Sequence, residues 1–431
     1  MSTLFNNNEF TRRQFMERAA KVLFGVNLLP VFDQQQLNAA VDTVSAAETS
    51  GAKAKNVIYL YMTGGMSQMD TFDTKPGSDN QGPVKSIGTG VEGLSVSEFL
   101  PLMAMQMEDV AVIRSMTSTQ GAHEQGRYFM HTSYAPRGAI THPGIGSWIL
   151  ALQGRDNLKL PGAVRMGGND GGPGFLGTQF APVPIGDPEK GLQNTKPFGG
   201  ISAETIDDRL YLSEMLDIEF HKQYPMEKVQ SYETVYREAL NMMTSSDLET
   251  FNIKKESEDS RERYGRSRFG NGCLLARRLV ENGVRFAQVN LGGWDTHNNN
   301  FNNVQTLAME LDRAFSGLLE DLRERDMLKD TLVVLSTEFG RTPKINQNDG
   351  RDHYPKAFTC LLAGAGVKGG TAYGKTNANG TDVEENPVTI PDFNATIAKI
   401  VGLPIKQEII APNGRPFTVA NDGNPIEDLL I

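Results

Sequence analysis

Two short apolar runs, each rich in β-branched residues, dominate the hydrophobic pattern of the C-terminal half of the chain. Residues 284–297 read VRFAQVNLGGWDTH, and residues 331–343 read TLVVLSTEFGRTP. Continuous rather than alternating hydrophobicity is typical of parallel strands that are buried on both faces. Between these runs, residues 304–325 carry an apolar residue every three to four positions, which predicts an amphipathic helix. The pattern therefore predicts a strand–helix–strand unit.

The rest of the chain also alternates between strand-like and helix-like segments. Strands are predicted at 57–62, 110–114 and 358–364, and helices at 124–134, 143–152 and 392–401. Residues 154–200 are rich in glycine and proline and lack clear periodicity, which predicts a long loop region with short strands beside a site. Residues 203–260 are heavily charged, with a mostly helical pattern.

The composition places the chain among soluble globular proteins and excludes several classes. Its 431 residues are 39% hydrophobic and 22% charged, which is ordinary for a folded domain. The net charge of -10, without a cluster of basic residues, argues against nucleic-acid binding. No apolar run is long enough for an internal membrane span. Cys273 and Cys360 are too few for a disulfide framework and are expected to be small core residues, although a single bridge between them stays open.

The N-terminus has the order of features found in an export signal. Arg12 and Arg13 form a twin arginine, residues 22–32 are modestly apolar, and residues 44–46 are small enough for signal peptidase cleavage. The sequence therefore predicts a twin-arginine signal peptide over residues 1–46, a mature domain over residues 55–431, and a periplasmic or extracellular location. The alternative interpretation is an ordinary amphipathic helix with two surface arginines.

Acidic and histidine side chains recur where the predicted strands end. They are Asp70, His123, Asp295, His297, Glu338, Asp352 and His353. In an open parallel sheet, ligands bind just beyond the carboxyl ends of the strands, so these side chains are expected to converge there. Imidazole and carboxylate together suit Zn, Mn or Fe, whereas carboxylates alone favour Mg or Ca. The pattern predicts a divalent metal site without distinguishing Zn, Mn, Fe and Ca.

Several of these candidates also have a purely structural interpretation. Asp70 could cap a turn, and Asp295 could cap the helix that follows it. Glu338 could pair with Arg341 and hold its loop. The remaining histidines are assigned structural positions: His131, His142 and His221.

Five motifs carry a resemblance to a known family: TGGMSQMDTFDTKPG, IRSMTSTQGAHEQGRYFMHTSY, NLGGWDTHNNN, LVVLSTEFGRTP and GRDHYP. With them the chain resembles the uncharacterised, twin-arginine-exported family known as domain of unknown function 1501, within the alkaline phosphatase/sulfatase superfamily. The resemblance implies a three-layer α/β/α fold with a mostly parallel central sheet. It also implies a loop-rich and helical insertion near residues 154–260.

The resemblance further suggests which superfamily positions are kept and which are altered. The metal-binding Asp at the end of the first strand is replaced by Gly64 and Gly65, and Asp70 is the nearest substitute. His123 stands where the nucleophile is expected, followed by Arg127 at the position of the sulfatase arginine. The later ligand positions are matched by Asp295 and His297, by Glu338 in place of an Asp-His pair, and by His353. A single ion in place of the phosphatases' two is therefore expected.

This resemblance implies an exported metal-dependent hydrolase of phosphate or sulfate esters. The metal would be held by Asp295, His297, Glu338 and His353, with Asp70 and Asp352 as further donors. His123 would be nucleophile, general base or additional ligand, and Arg127 and Arg341 would bind the anionic ester. The alternative is a non-catalytic exported protein with a degenerate metal site that binds a co-exported partner. A third interpretation, an acidic cytoplasmic enzyme, applies if the export signal is wrong.

Overall fold

The computed structural model describes residues 51–138, 140–193 and 245–431, with isolated positions between 195 and 243. The predicted signal peptide over residues 1–46 lies outside the described residues, as does His221. Most of the predicted helical region over residues 203–260 lies outside them too. The predicted mature domain, from residue 55 onward, contains almost all of the described structure.

Seventeen strands and seven α-helices lie in the described residues. The strands are β1 (Asn56–Thr63), β2 (Ser86–Gly88), β3 (Ser95–Ser97), β4 (Val110–Thr117), β5 (Ala163–Met166), β6 (Val183–Ile185), β7 (Phe286–Gly292), β8 (Thr331–Ser336), β9 (Gly340–Arg341), β10 (His353–Tyr354), β11 (Phe358–Gly364), β12 (Thr371–Tyr373), β13 (Lys375–Thr376), β14 (Val383–Glu385), β15 (Val388–Thr389), β16 (Ile409–Ile410) and β17 (Pro416–Phe417). The α-helices are α1 (Pro101–Gln106), α2 (His123–Thr132), α3 (Ile145–Gln153), α4 (Glu258–Arg263), α5 (Arg268–Glu281), α6 (Asn300–Glu324) and α7 (Ile390–Ile400).

Nine of these strands form one central sheet in the order β12-β4-β11-β8-β1-β7-β5-β6, with β15 also paired to β4. β1 runs parallel to both β7 and β8, and β5 runs parallel to β6 and β7. β11 is antiparallel to its neighbours β4 and β8, so it alone is reversed within this sheet. The predicted mostly parallel sheet is confirmed.

The predicted strand–helix–strand unit is present as β7, α6 and β8, but its two strands are not neighbours. β1 lies between them and pairs with both, so the crossover through α6 passes over one strand. The predicted helix began at residue 304, whereas α6 begins at Asn300. This arrangement brings the C-terminal ends of β1, β7 and β8 side by side.

The sheet is buried on both faces, as the continuous hydrophobicity of its strands predicted. Ile58 and Leu60 of β1 belong to one apolar cluster, which also contains Leu311 of α6. Val57 of β1 belongs to the other, with Trp148 of α3 and several residues of α7. Alternate side chains of one strand thus reach helices on opposite sides, which gives the predicted three-layer α/β/α architecture.

The two cysteines are free and fully buried. Cys273 packs in the cluster on one face of the sheet, and Cys360 packs in the cluster on the other face. The sheet therefore separates the thiols, and the bridge that the sequence left open is absent.

The predicted insertion near residues 154–260 contains part of the sheet. β5 pairs with β7, and β6 pairs with β5, so both strands extend the central sheet. The sequence predicted short strands in this region without their positions, and β5 and β6 are four and three residues long. Among the described residues, no helix is both long and apolar enough to span a membrane.

His142 is buried in an aromatic cluster, and burial favours its neutral form over the charged one. The Tyr128 hydroxyl accepts a hydrogen bond from the His142 backbone N–H at 2.7 Å and lies 2.6 Å from Nδ1. Nδ1 of the neutral ring can accept the proton of that hydroxyl, while Nε2 is buried without a hydrogen-bond partner. The ring also stacks on Tyr134 with centroids 4.3 Å apart. Burial lowers the pKa of His142 to about 4.

Replacement of His142 by phenylalanine should therefore change how stability depends on pH. The folded-state pKa lies below the unfolded value of about 6.5, so the contribution of neutral His142 is fully present above that pH and is lost as pH falls toward 4. The difference in unfolding free energy between wild type and His142→Phe, from urea denaturation, should be constant above about pH 7 and fall below it. The Tyr128→Phe control keeps the imidazole and should keep this slope. A difference that stays flat from pH 7 to 4 would contradict the assignment.

Candidate metal centre

Four stretches of chain deliver histidine and acidic side chains to the same edge of the sheet. Asp295 and His297 lie in the loop after β7, and Glu338 follows β8. His123 is the first residue of α2, which follows β4. His353 lies in β10, whose short ladder with β9 places it opposite Arg341. Because β4, β7 and β8 point the same way, their ends meet, as the sequence predicted.

Three imidazoles converge on one carboxylate oxygen. The Nε2 atoms of His297, His123 and His353 lie 3.1, 3.3 and 3.5 Å from Oδ1 of Asp295. One donor atom from each of His123, Asp295 and His353 lies within 4.8 Å of the others. The His123 and His353 rings are in contact, with centroids 4.3 Å apart. We call these four residues the metal centre.

Each of the three imidazoles also has a hydrogen-bond partner at its other ring nitrogen, Nδ1. The Nδ1 atom of His123 lies 2.8 Å from Oε1 of Glu338. Nδ1 of His297 lies 2.8 Å from Oδ1 of Asp352, and Nδ1 of His353 lies 2.8 Å from the carbonyl oxygen of Gly121. An imidazole that donates through Nδ1 presents the lone pair of Nε2, and such outer partners are typical of histidines that bind metals. Glu338 and Asp352 were predicted as ligands. The structure instead places them behind the imidazoles, as groups that orient His123 and His297.

The donor set fits a divalent transition metal. The Nε2 atoms of His123 and His353 are buried and have no hydrogen-bond partner. A buried polar atom without a partner is unfavourable by about 1–3 kcal/mol, and a bound cation would satisfy both nitrogens. Imidazole nitrogens with one carboxylate suit Zn, Mn or Fe better than Mg or Ca, which take oxygen ligands.

The metal centre is open to solvent on one side. The exposed fraction of the side chain is 24% for His123, 27% for His353, 39% for His297 and 47% for Asp295. Solvent therefore reaches the edges of these side chains, while the Nε2 atoms of His123 and His353 are buried. Hydrogen bonding to Glu338 raises the pKa of His123, whereas burial lowers the pKa of His353. Protons therefore compete with a cation more strongly at His123 than at His353.

Glu338 is fully buried and depends on its hydrogen-bond donors. Its carboxylate accepts from the Tyr61 hydroxyl at 3.0 Å and from the Gly64 backbone N–H at 2.9 Å, in addition to His123. Gly64 has φ +120°, and a Cβ there would lie 2.5 Å from the Asp295 backbone nitrogen. The glycine turn after β1 therefore packs closely against Glu338 and the loop of Asp295.

Arg341 was predicted to bind the anionic ester, but the structure gives it a different role. Its side chain is fully buried, and it donates to the carbonyls of Gly64, Gly65 and Arg351 and to Asp295 Oδ1 at 2.5 Å. These acceptors occupy the guanidinium, which leaves no accessible face for a substrate. Burial raises the pKa of Asp295, but Arg341 together with His123 and His297 outweighs it, and the pKa is lowered. Arg341 therefore positions an ionised Asp295.

Asp70, a predicted metal ligand, is also a structural residue. Its fully buried carboxylate accepts from Arg351 at 2.8 and 3.0 Å, from the Ser67 hydroxyl at 2.5 Å and from the Asn300 amide at 2.8 Å. Four donors fill the lone pairs that a metal would need. The expectation of Asp70 as a ligand needs correction, because its partner is Arg351. That ion pair fixes the loop that carries Asp352 and His353.

Arg127 lies on the same helix as His123, and its side chain is partly exposed although Nε is buried. It lies one helical turn after His123 in α2, and 32% of its side chain is exposed. Its Nε is 3.4 Å from Asp170 Oδ1. His131, one turn further, is buried and hydrogen-bonds to the Arg127 carbonyl, which agrees with its predicted structural role.

Residues 54–430 match a family described as "Protein of unknown function (DUF1501)". The chain belongs to this family. The family that the sequence motifs predicted is therefore confirmed. A comparison with curated proteins found no match to the DUF1501 chain.

Several solved structures are similar to this DUF1501 protein at low identity. They include the PsFucS1 sulfatase from Pseudoalteromonas sp. (13% identity, TM-score 0.40, covering 93% of this chain and 76% of that one). The lipoteichoic acid synthase LtaP from Listeria monocytogenes has 10% identity and a TM-score of 0.36, with 87% and 79% covered. A phosphonate monoester hydrolase from Silicibacter pomeroyi has 13% identity and a TM-score of 0.36, with 87% and 76% covered. Similarity at this level carries no inference about activity, so function is inferred from the metal centre itself.

Removal of the imidazole of either His123 or His353, whose Nε2 atoms have no hydrogen-bond partner, should abolish stoichiometric metal binding by the DUF1501 protein. His123→Ala and His353→Ala each remove a nitrogen from the donor set, so elemental analysis of the purified variants should show far less transition metal than wild type. His142→Phe, which changes a buried histidine outside the centre, is the matched control and should keep the wild-type content. Equal metal in all four proteins would exclude the assigned ligands.

Glu338→Gln should weaken metal binding without removing a ligand. Loss of the negative charge behind His123 makes Nε2 a poorer donor, and outer partners of this kind are worth about 10- to 100-fold in affinity. Competition against a chromophoric chelator would measure this change. Asp352→Asn should have a smaller effect because Asp352 is exposed. An affinity of Glu338→Gln equal to that of wild type would argue against the orienting role.

Proposed function

We propose that this protein is an exported, metal-dependent hydrolase that acts on phosphate or sulfate esters. The observation that carries the proposal is the convergence of three Nε2 atoms on Asp295 Oδ1, with each imidazole oriented through Nδ1. Such an arrangement would suit a cation, and the partial exposure of Asp295 and His297 would leave solvent close to it.

His123, Asp295 and His353 would hold the ion, with His297 as the fourth donor. A bound divalent ion of this kind polarises an ester oxygen or lowers the pKa of a water molecule. Glu338 keeps the lone pair of His123 directed at the centre, and Arg341 keeps Asp295 ionised and fixed. The chain's own residues thus supply a rigid site before any substrate arrives.

Arg127 is the residue that we assign to the anionic part of the ester. Its side chain is partly exposed and lies on α2, one turn of about 6 Å from His123. A guanidinium can donate two parallel hydrogen bonds to phosphate or sulfate oxygens, which a lysine cannot do. The substrate class follows from this placement of a cation beside the donor set.

Export is proposed on the sequence of residues 1–46, and the location would be periplasmic or extracellular. A twin-arginine signal fits a metalloprotein, because this pathway carries proteins that fold before export. Sequencing of the mature N-terminus from cell fractions tests the proposal: a start near Ala47 supports it, and an intact cytoplasmic chain opposes it.

A second candidate function is non-catalytic binding or assembly, with a co-exported protein as partner. It is favoured by His123, which begins α2 where the resemblance leads one to expect a hydroxyl nucleophile. In that case the metal would have a structural role, and its coordination would be saturated by protein.

Metal analysis combined with an ester assay separates the two functions. Protein purified from its native compartment should contain a stoichiometric transition metal and hydrolyse aryl phosphate or aryl sulfate with Zn or Mn added. Arg127→Ala should keep the metal and lose about 10- to 100-fold in kcat/KM, because one charged hydrogen-bond partner of the substrate is gone. Arg285→Ala, at the opposite edge of the sheet, is the matched control. Protein with neither metal nor hydrolysis would contradict the proposal, and metal without hydrolysis would favour the second candidate.

A further inference from the structure

One face of α2 connects the metal centre to a glycine-rich loop. His123, Arg127 and His131 are spaced four residues apart, so they lie on the same side of the helix at intervals of about 6 Å. The loop of residues 167–172 packs against this face, since a Cβ on Gly171 would lie 3.0 Å from His131. Asp170 belongs to this loop and lies beside Arg127.

The contact between Arg127 and Asp170 is an ion pair without a hydrogen bond. Nε of Arg127 is 3.4 Å from Asp170 Oδ1, and Nε has no hydrogen-bond partner. The two side chains are 32% and 20% exposed. Partly exposed ion pairs that lack a hydrogen bond are weak, so an incoming anion can replace the carboxylate.

The loop that presents Asp170 is held firmly, although its ion pair is weak. Arg165 is 7% exposed, and it donates to the Asp170 carbonyl at 3.1 Å and to Asn169 Oδ1 at 2.9 Å. Gly168 has φ +62°, and a Cβ there would lie 2.2 Å from the Asn290 amide nitrogen. The backbone of this loop is therefore fixed by buried Arg165 and by close packing. It holds the Asp170 carboxylate beside Arg127.

We propose that Asp170 is a built-in competitor for the anionic group that binds Arg127. In the free protein the Asp170 carboxylate forms an ion pair with the Arg127 guanidinium, and a phosphate or sulfate group displaces the carboxylate on binding. The inference rests on the proposed function only in its choice of Arg127 as the anion-binding residue. Asp170 thereby sets the anion affinity of the site, and it keeps Arg127 close to its working position between binding events.

Calorimetric titration with inorganic phosphate at fixed, low ionic strength tests this proposal on the metal-loaded protein. Asp170→Asn removes the competing charge and should tighten phosphate binding by about 3- to 10-fold. Asp170→Glu keeps the charge and should stay within about 2-fold of wild type. Asp330→Asn is the matched control, since the Asp330–Lys55 pair has the same 3.4 Å separation but lies at the opposite edge of the sheet.

The effect must also depend on Arg127. In an Arg127→Ala background, Asp170→Asn should leave the phosphate Kd unchanged. Unchanged or weaker phosphate binding by Asp170→Asn in the otherwise native protein would overturn the inference. Tighter binding that persists without Arg127 would also overturn it. So would the absence of phosphate binding by both wild type and Asp170→Asn. Tighter phosphate binding with no hydrolysis of any ester would leave the inference standing and refute the proposed function alone.

Discussion

The buried guanidinium of Arg341 is the interaction on which the metal centre depends. It donates to the turn after β1 at Gly64 and Gly65, to the loop after β7 at Asp295, and to the loop before β10 at Arg351. Burial lowers the pKa of Arg341, and a charge in that position is tolerated only because acceptors surround it. One cation therefore ties together three loops that are far apart in sequence, and two of them carry ligands.

Two carboxylates beside the same imidazole have different roles because they lie at different depths. Glu338 is fully buried and accepts hydrogen bonds from Tyr61, Gly64 and His123, so it has no access to a solute. Asp295 is about half exposed and faces three imidazole nitrogens. Glu338 therefore orients a ligand, whereas Asp295 is positioned to be one.

The sequence predicted the fold class and the edge of the sheet at which the candidate residues meet. Continuous apolar runs identified β1, β7, β8 and β11, and the parallel direction of three of these strands places their ends at one edge. Short strands were predicted in residues 154–200, but the positions of β5 and β6 were not, because four or three residues between glycines and prolines give no periodic signal.

The sequence could not separate ligands from their supports. Asp70 and Glu338 are acids after strands, but their roles are set by Arg351 and Tyr61, which lie 281 and 277 residues away from them in the chain. Those partners appear only once the chain has folded. The Gly121 carbonyl that orients His353 is a backbone group, for which residue type carries no signal. Residue chemistry therefore indicated where the site lies, and hydrogen-bond geometry decides what each residue does.

A centre assembled from such distant segments has a consequence for when it can bind an ion. His123, Asp295 and His353 come from three parts of the chain, and their outer partners come from others. An unfolded chain offers none of this geometry, so any metal affinity would appear together with the fold, and a bound ion would in turn stabilise the folded state. Folding before export, which the twin-arginine hypothesis entails, would let the ion be acquired where its supply is controlled. The compartment in which the protein folds would then decide which of several suitable metals the centre holds.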